Sequence, residues 1–237
     1  MTRPSKRKPY ELRSIKIQKN FTRYAEGSVL ITCGHTKVLC TASLEEKVPP
    51  FLKGKGQGWV TAEYGMLPRS THTRMDRETK KGPSGRTQEI SRLIGRALRS
   101  SVDMKLLGER QVIIDCDVIQ ADGGTRCASI TGGYVALALA LKSLIRKKVI
   151  SAETLIQPVV GISCGIFNDV AIADLDYDED STAEVDMNFI ITGDLNFVEI
   201  QGTAEHKPFS FEHMVLMKDL AMGGAKKLLQ AQKAILK

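Results

Sequence analysis

Short apolar runs between turn signals open the chain. Ser28 to Cys33 and Lys37 to Leu44 read as strands, bracketed by Glu26-Gly27 and Gly34-His35-Thr36 turns. Further on, Ile90, Leu93, Ile94, Ala97, Leu98 and Val102 recur at helical spacing, with Gln88, Arg92, Arg96 and Arg99 on the opposite side. Val112 to Ile119 predicts a strand, and Ser129 to Leu144 a helix apolar almost all round, continuing toward Val149. Gly132 and Gly133 inside that helix each cost about 1 kcal/mol relative to alanine, so they imply close backbone packing and a buried central position. A second β block follows: Pro158 to Ile166, Val170 to Leu175, Val185 to Thr192 and Leu195 to Thr203, with turns at Asn168-Asp169 and Gly193-Asp194. Ser210 to Leu236 closes the chain as an amphipathic helix. Ser210 is its N-cap, and Phe211, Met214, Val215, Leu220, Leu228 and Ile235 form its core face. The pattern predicts one α+β domain over residues 1–237, without linker composition or an internal repeat.

Composition narrows the setting. Hydrophobic residues make up 42% of 237 and charged residues 26%, enough for a sizeable core. The net charge of +7 favours an acidic partner, nucleic acid ahead of membrane. Five scattered cysteines with no CxxC pair argue against a disulfide framework or a zinc site and suit a reducing compartment. The basic segment to Lys8 is not followed by an apolar signal core. The longest uncharged apolar run, Cys127 to Leu141, falls short of the roughly 18 residues a membrane span needs. The expectation is a cytoplasmic protein with no membrane partner.

Candidate chemistry begins at Ala121–Ile130, where a strand hands over to a helix through Asp122-Gly-Gly-Thr-Arg126. Free N–H groups and a positive dipole end make such a start an anion site. Gly123 and Gly124 allow close backbone approach, Thr125 offers a hydroxyl and Arg126 a permanently charged fork. A plain turn with an incidental arginine is the alternative. Lys53-Gly-Lys-Gly-Gln-Gly-Trp59 resembles a phosphate loop superficially, but it matches neither GxxxxGK[ST] nor GxGxxG. It reads as a flexible basic loop, or as an RNA-backbone contact with Trp59 free to stack. His35, in a turn, has no nearby ligand set and reads as solvated.

From Arg69 to Arg99 the chain is strongly cationic. Arg69, His72, Arg74, Arg77, Lys80, Lys81, Arg86, Arg92, Arg96 and Arg99 outnumber Asp76, Glu78 and Glu89. An aperiodic loop leads into the basic outer face of a helix, a pattern that favours nucleic-acid contact over an ordinary solvated surface. Asp174, Asp176, Asp178, Glu179, Asp180, Glu184 and Asp186 then crowd between two predicted strands. Their mutual repulsion calls for a cation or full solvation. An EF-hand is excluded, because Ser181 stands where glycine is required and Met187 where the bidentate Glu belongs. A polar surface loop or a Mg²⁺ or Mn²⁺ site remains. An anion site, a cationic track and paired carboxylates are together the parts needed for phosphoryl chemistry on a polyanion.

The same residues resemble the ribonuclease PH family along essentially the whole chain. The resemblance rests on Glu26-Gly-Ser-Val29, Gly34-His-Thr-Lys-Val38, Gly56-Gln-Gly-Trp-Val60 and Glu63-Tyr-Gly-Met-Leu-Pro-Arg69. It continues through Gly85-Arg-Thr-Gln-Glu-Ile-Ser-Arg-Leu-Ile-Gly95, Asp122-Gly-Gly-Thr-Arg126 and Glu199-Ile-Gln-Gly-Thr-Ala-Glu205. It implies a ribosomal protein S5 domain 2-like fold, mixed sheets packed with a central buried helix. It implies a phosphate-dependent 3′→5′ exoribonuclease that trims tRNA precursors and other RNA 3′ ends, releases nucleoside 5′-diphosphates and can run in reverse. Inorganic phosphate, the co-substrate, would be bound by Arg86, Gly124, Thr125 and Arg126, the last counted as catalytic. Asp180 and Asp186 would be catalytic and hold Mg²⁺ or Mn²⁺, with Asp178 an alternative first ligand and Asp180 also a proton donor. Arg69, Arg74, Arg77 and Arg96 would bind RNA, with no role for DNA, and the assembly would be a homohexamer, a trimer of dimers. The single domain copy, with no KH or S1 module, argues against polynucleotide phosphorylase. Two other readings compete: a catalytically silent RNA-binding ring subunit and a magnesium-dependent hydrolase. Retention of the phosphate arginines and the acidic pair disfavours the first, and use of water rather than phosphate would distinguish the second.

Overall fold

The computed structural model describes residues 3–78, 82–205 and 207–237. Among the described residues, nine strands and five α-helices form two sheets with a helix between them. The first sheet comprises β1 (Ile15–Lys19), β2 (Gly27–Cys33), β3 (Thr36–Glu45), β4 (Trp59–Met66) and β5 (Gln111–Gln120), in the order β1-β2-β3-β5-β4. All its neighbours are antiparallel except β4 and β5, which run parallel, Trp59 opposite Gln111 and Met66 opposite Val118. One face carries Val38, Cys40 and Ala42 of β3 with Val112, Ile114, Cys116 and Val118 of β5, all buried. That alternation is the period of two expected of a half-buried sheet.

Helices α1 (Gly85–Arg99) and α3 (Thr125–Arg146) cover the buried face, while α2 (Met104–Leu107) is a single turn. α1 buries Ile90, Leu93, Ile94, Ala97 and Leu98, the face its periodicity predicted. α3 is buried nearly all round, because it also packs on β6 of the second sheet. A Cβ at Gly132 would stand 2.7 Å from Ile31 Cγ2 and 2.9 Å from Cys40 Sγ, so glycine there lets α3 lie close to β2 and β3. By length and composition α3 could cross a membrane, yet 78% of its apolar window is buried inside the protein.

The second sheet is β7-β6-β8-β9, antiparallel throughout: β6 (Val159–Phe167), β7 (Val170–Ala173), β8 (Val185–Thr192) and β9 (Phe197–Ala204). Val160, Ile162 and Cys164 of β6 and Met187, Phe189 and Ile191 of β8 pack on α5 (Phe211–Leu236) through Met217, Ala221 and Ala225. The alternate positions, among them Gly161, Asp186 and Asn188, therefore point the other way, toward the start of α3. A Cβ on Gly161 would lie 2.9 Å from Cys127 Cα. Ser210 caps α5 by accepting from His213 N–H at 3.2 Å, as its sequence position predicts.

Several boundaries differ from the sequence reading. α3 begins at Thr125, four residues before Ser129, so Thr125 and Arg126 lie in its first turn, with Gly124 as the N-cap. β1 and β4 are additional strands. In the acidic stretch, Tyr177–Asp180 forms a one-turn helix, α4, closed by a capping box between Asp176 and Glu179.

Candidate active site

Because β4 and β5 run parallel, the loops that follow both leave the same edge of the sheet. The loop after β5 is Ala121–Gly124, and it enters α3 through two consecutive left-handed residues, Gly123 (φ 71°) and Gly124 (φ 64°). Gly124 is the N-cap and offers no side chain, so the amides of the first turn of α3 keep their outward donors. The turn is held from behind. Thr36 Oγ1 donates to Gly123 O at 2.7 Å and accepts from Asp122 N–H at 2.9 Å. Arg13 donates to the carbonyls of Asp122 and Gly123, and pairs with both oxygens of Asp174 at 2.6 and 3.1 Å.

A cleft of about 450 Å³ opens in front of this turn. Gly124, Thr125 and Arg126 line one side, Arg86 at the start of α1 another, and Asp180 of α4 and Asp186 of β8 a third. His72 and Thr73 from the loop after β4, Tyr177 and Glu205 complete the rim. The His72 and Tyr177 rings lie 5.3 Å apart, so the basic loop reaches α4 across the opening.

Charge is separated within the cleft. Burial and the neighbouring Asp180 push the Asp186 carboxyl up to about 6, although Arg126, Asn188 and Arg86 pull the other way. Burial also raises Asp180, against Arg86, Arg126 and Arg13. Two close carboxylates, desolvated and raised, are a donor set a hard divalent cation would relieve. Asp178 lies exposed on α4 and does not line the cleft, so of the two candidates for first ligand only Asp180 shares a site with Asp186. Arg126 reaches back to Gln201 Oε1 at 3.2 Å and to Glu89 at 3.8 Å, partners that fix its direction.

Two family models divide the chain. Residues 11–142 match the 3′ exoribonuclease family, domain 1, and residues 157–224 match domain 2 of the same family.

The chain belongs to the 3′ exoribonuclease, or RNase PH, family.

That family is one of phosphorolytic 3′→5′ exoribonucleases. Solved RNase PH-like structures share the fold at low identity. Rice (Oryza sativa) Rrp46 matches with a TM-score of 0.80 at 16% identity, covering 99% of this chain and 100% of its own. The Archaeoglobus fulgidus exosome with RNA bound to its active site gives 0.80 at 20%, covering 97% and 92%. An archaeal exosome core gives 0.78 at 19%, covering 98% and 91%.

Within this RNase PH-type module the other sequence candidates disperse. Arg69, Arg74 and Arg77 sit exposed on the loop beside the cleft; Lys80 and Lys81 lie outside the described residues. Arg96 is about 15 Å along α1 from Arg86. Glu199 engages it through a bidentate pair at 2.9 and 2.8 Å, and it does not line the cleft. Trp59 stands at the far end of β4, about 23 Å from Met66 at the cleft end. Its ring is covered by Arg99 at 4.4 Å and by Phe51 edge-on at 5.5 Å, so an exposed stacking role there is corrected to a structural one. Arg99 likewise leaves the outer cationic face, donating to Val60 O at 2.9 Å.

The acidic cluster divides. Asp180 and Asp186 enter the cleft, while Asp174, Asp176 and Glu179 pair with Arg3, Arg7 and Arg13. Those arginines, with Tyr64, Glu89 and Gln201, support the site without having been singled out in the sequence. Only the cluster's excess of carboxylates over any plausible metal site hinted that basic partners were needed.

Proposed function

We propose that this chain is a phosphate-dependent 3′→5′ exoribonuclease that trims the 3′ ends of tRNA precursors and other RNAs in the cytoplasm, working as a homohexameric ring. The observation carrying this reading is the single cleft in which an uncapped helix start, Arg86 and Arg126 face the Asp180/Asp186 pair. The exosome neighbours, one with RNA bound to its active site, support RNA as the polymer and a multi-subunit setting. Five free, buried cysteines accord with a reducing compartment.

In this reading the amides of Thr125 and Arg126, the Thr125 hydroxyl and the Arg86 and Arg126 guanidinia hold inorganic phosphate as the nucleophile. Arg69, Arg74 and Arg77 guide the RNA backbone toward it. A phosphate oxygen bonds to the terminal phosphorus in line, the bond from that phosphorus to the upstream O3′ breaks, and O3′ takes a proton. Asp180, which lines the cleft, would supply that proton in this reading. Asp180 and Asp186 would hold Mg²⁺ or Mn²⁺, which when bound neutralises charge developing on the phosphoryl oxygens. The products are a nucleoside 5′-diphosphate and RNA shortened by one nucleotide, and the same geometry permits reversal.

The test is Asp186→Ala. It should bind tRNA with wild-type affinity and lose turnover, whereas undiminished turnover would contradict the assignment.

A further inference from the structure

Glu179 is fully buried, yet no step of the chemistry uses it. Arg3 donates to its two oxygens at 2.8 and 2.7 Å, Ser5 at 2.8 Å and Arg7 at 3.0 Å. Arg3 also donates to Lys8 O and Ala173 O, each at 3.0 Å, which pins the N-terminal arm against β7. Arg3, Ser5 and Arg7 all precede residue 11, where the family match begins.

Glu179 immediately precedes Asp180 on α4, a single turn. One turn has too few hydrogen bonds to fix its own orientation. Successive side chains on it diverge by about 100°, so anchoring one residue toward the interior sets the direction of the next. With Glu179 turned inward to Arg3, Asp180 faces the cleft. The Asp176 capping box fixes the start of the same turn, and Arg7 joins Asp176 to Glu179 at 3.3 and 3.0 Å.

We propose that the N-terminal arm, through the Arg3–Glu179 pair, is a positioning device that aims Asp180 at the divalent-cation site. This rests on the reading of Asp180 and Asp186 as that site. Arg3 acts through Glu179 and touches neither substrate nor ion. Its planar fork engages both Glu179 oxygens and four backbone carbonyls, those of Lys8, Pro9, Ala173 and Asp174, which an ammonium cannot reproduce.

The experiment measures Mn²⁺ binding to the full-length protein by electron paramagnetic resonance, without RNA or turnover, alongside thermal melting and phosphate titration. The variants are Arg3→Lys, the double variant Arg3→Met with Glu179→Met, and Asp180→Asn. The double variant removes both buried charges and leaves no orphan carboxylate, so its melt should fall less than that of Arg3→Met alone, which strands Glu179. Both Arg3 variants should bind Mn²⁺ about tenfold more weakly while phosphate affinity holds, the loss typical when an outer partner of a metal ligand is removed. Wild-type Mn²⁺ affinity in both, with Asp180→Asn defective, would overturn the positioning role. Unchanged Mn²⁺ binding in Asp180→Asn would instead remove the metal site itself. If the double variant fails to fold, Arg3→Lys decides alone.

Discussion

Tyr64 Oη and Thr125 Oγ1 share a buried hydrogen bond of 2.9 Å, tying the edge strand β4 to the first residue of α3. Burial raises the Tyr64 phenol and keeps it protonated, so it remains a neutral partner for the threonine hydroxyl. Thr125 also lines the cleft, and Tyr64 therefore orients a group expected to meet phosphate. Tyr64→Phe should cost about 1 kcal/mol at this contact, raising the phosphate KM about fivefold. The RNA KM should stay constant, and steady-state kinetics with each substrate varied in turn checks it.

The Gly123 turn allows no side chain. At φ 71° an added Cβ would stand 2.6 Å from Leu175 O and 2.7 Å from Asp176 C, backbone atoms that belong to the approach to α4. Gly123→Ala should destabilise the fold by about 2 kcal/mol through strain and clash, read by urea denaturation. Phosphate affinity should fall with it, since the turn and the acidic helix would be forced apart.

Asp186 should make stability depend on pH in the absence of divalent cations. Its folded pKa, about 6, lies above the ordinary 3.8, so the native state holds a proton that the unfolded state has released. The contribution is fully present below pH 3.8 and is lost as pH rises through about 6. Urea melts in chelator should show Asp186→Asn gaining stability on wild type across that window, by up to about 3 kcal/mol. Above pH 6, added Mg²⁺ should recover part of the difference in wild type only.

Two arginines should separate by substrate. Arg126→Ala should weaken phosphate use by about tenfold or more, because a charge-assisted donor at the anion site is lost. Arg74→Ala, on the exposed loop, should weaken RNA binding across sequences and reduce the slope of log affinity against log salt by about 1. Kinetics in phosphate and filter binding across salt concentrations measure the two effects.

The local parts of this site were legible in the sequence, and their supports were not. Asp122–Arg126 announced itself because a helix start after a strand needs no distant partner to be an anion site. Asp186 faces the cleft because β8 alternates, with Met187 and Phe189 committed to the other side. By contrast, Thr36 and Arg13 hold the glycine turn from 87 and 109 residues away, and Asp174, which orients Arg13, lies 161 residues from it, distances periodicity does not encode. Trp59 looked available for stacking because nothing local shows that Arg99 folds back over its ring. β1 and β4 went unread for a similar reason. β1 is a five-residue edge strand, Ile-Lys-Ile-Gln-Lys, and β4 pairs with a strand far along the chain.

The central claim is that the attacking group is inorganic phosphate held at Gly124, Thr125 and Arg126. The direct measurement is digestion of a 3′-tailed tRNA with Mg²⁺, with and without phosphate, and identification of the released nucleotides. Shortening that requires phosphate and yields nucleoside 5′-diphosphates is the predicted result. Nucleoside monophosphates, or digestion indifferent to phosphate, would contradict it.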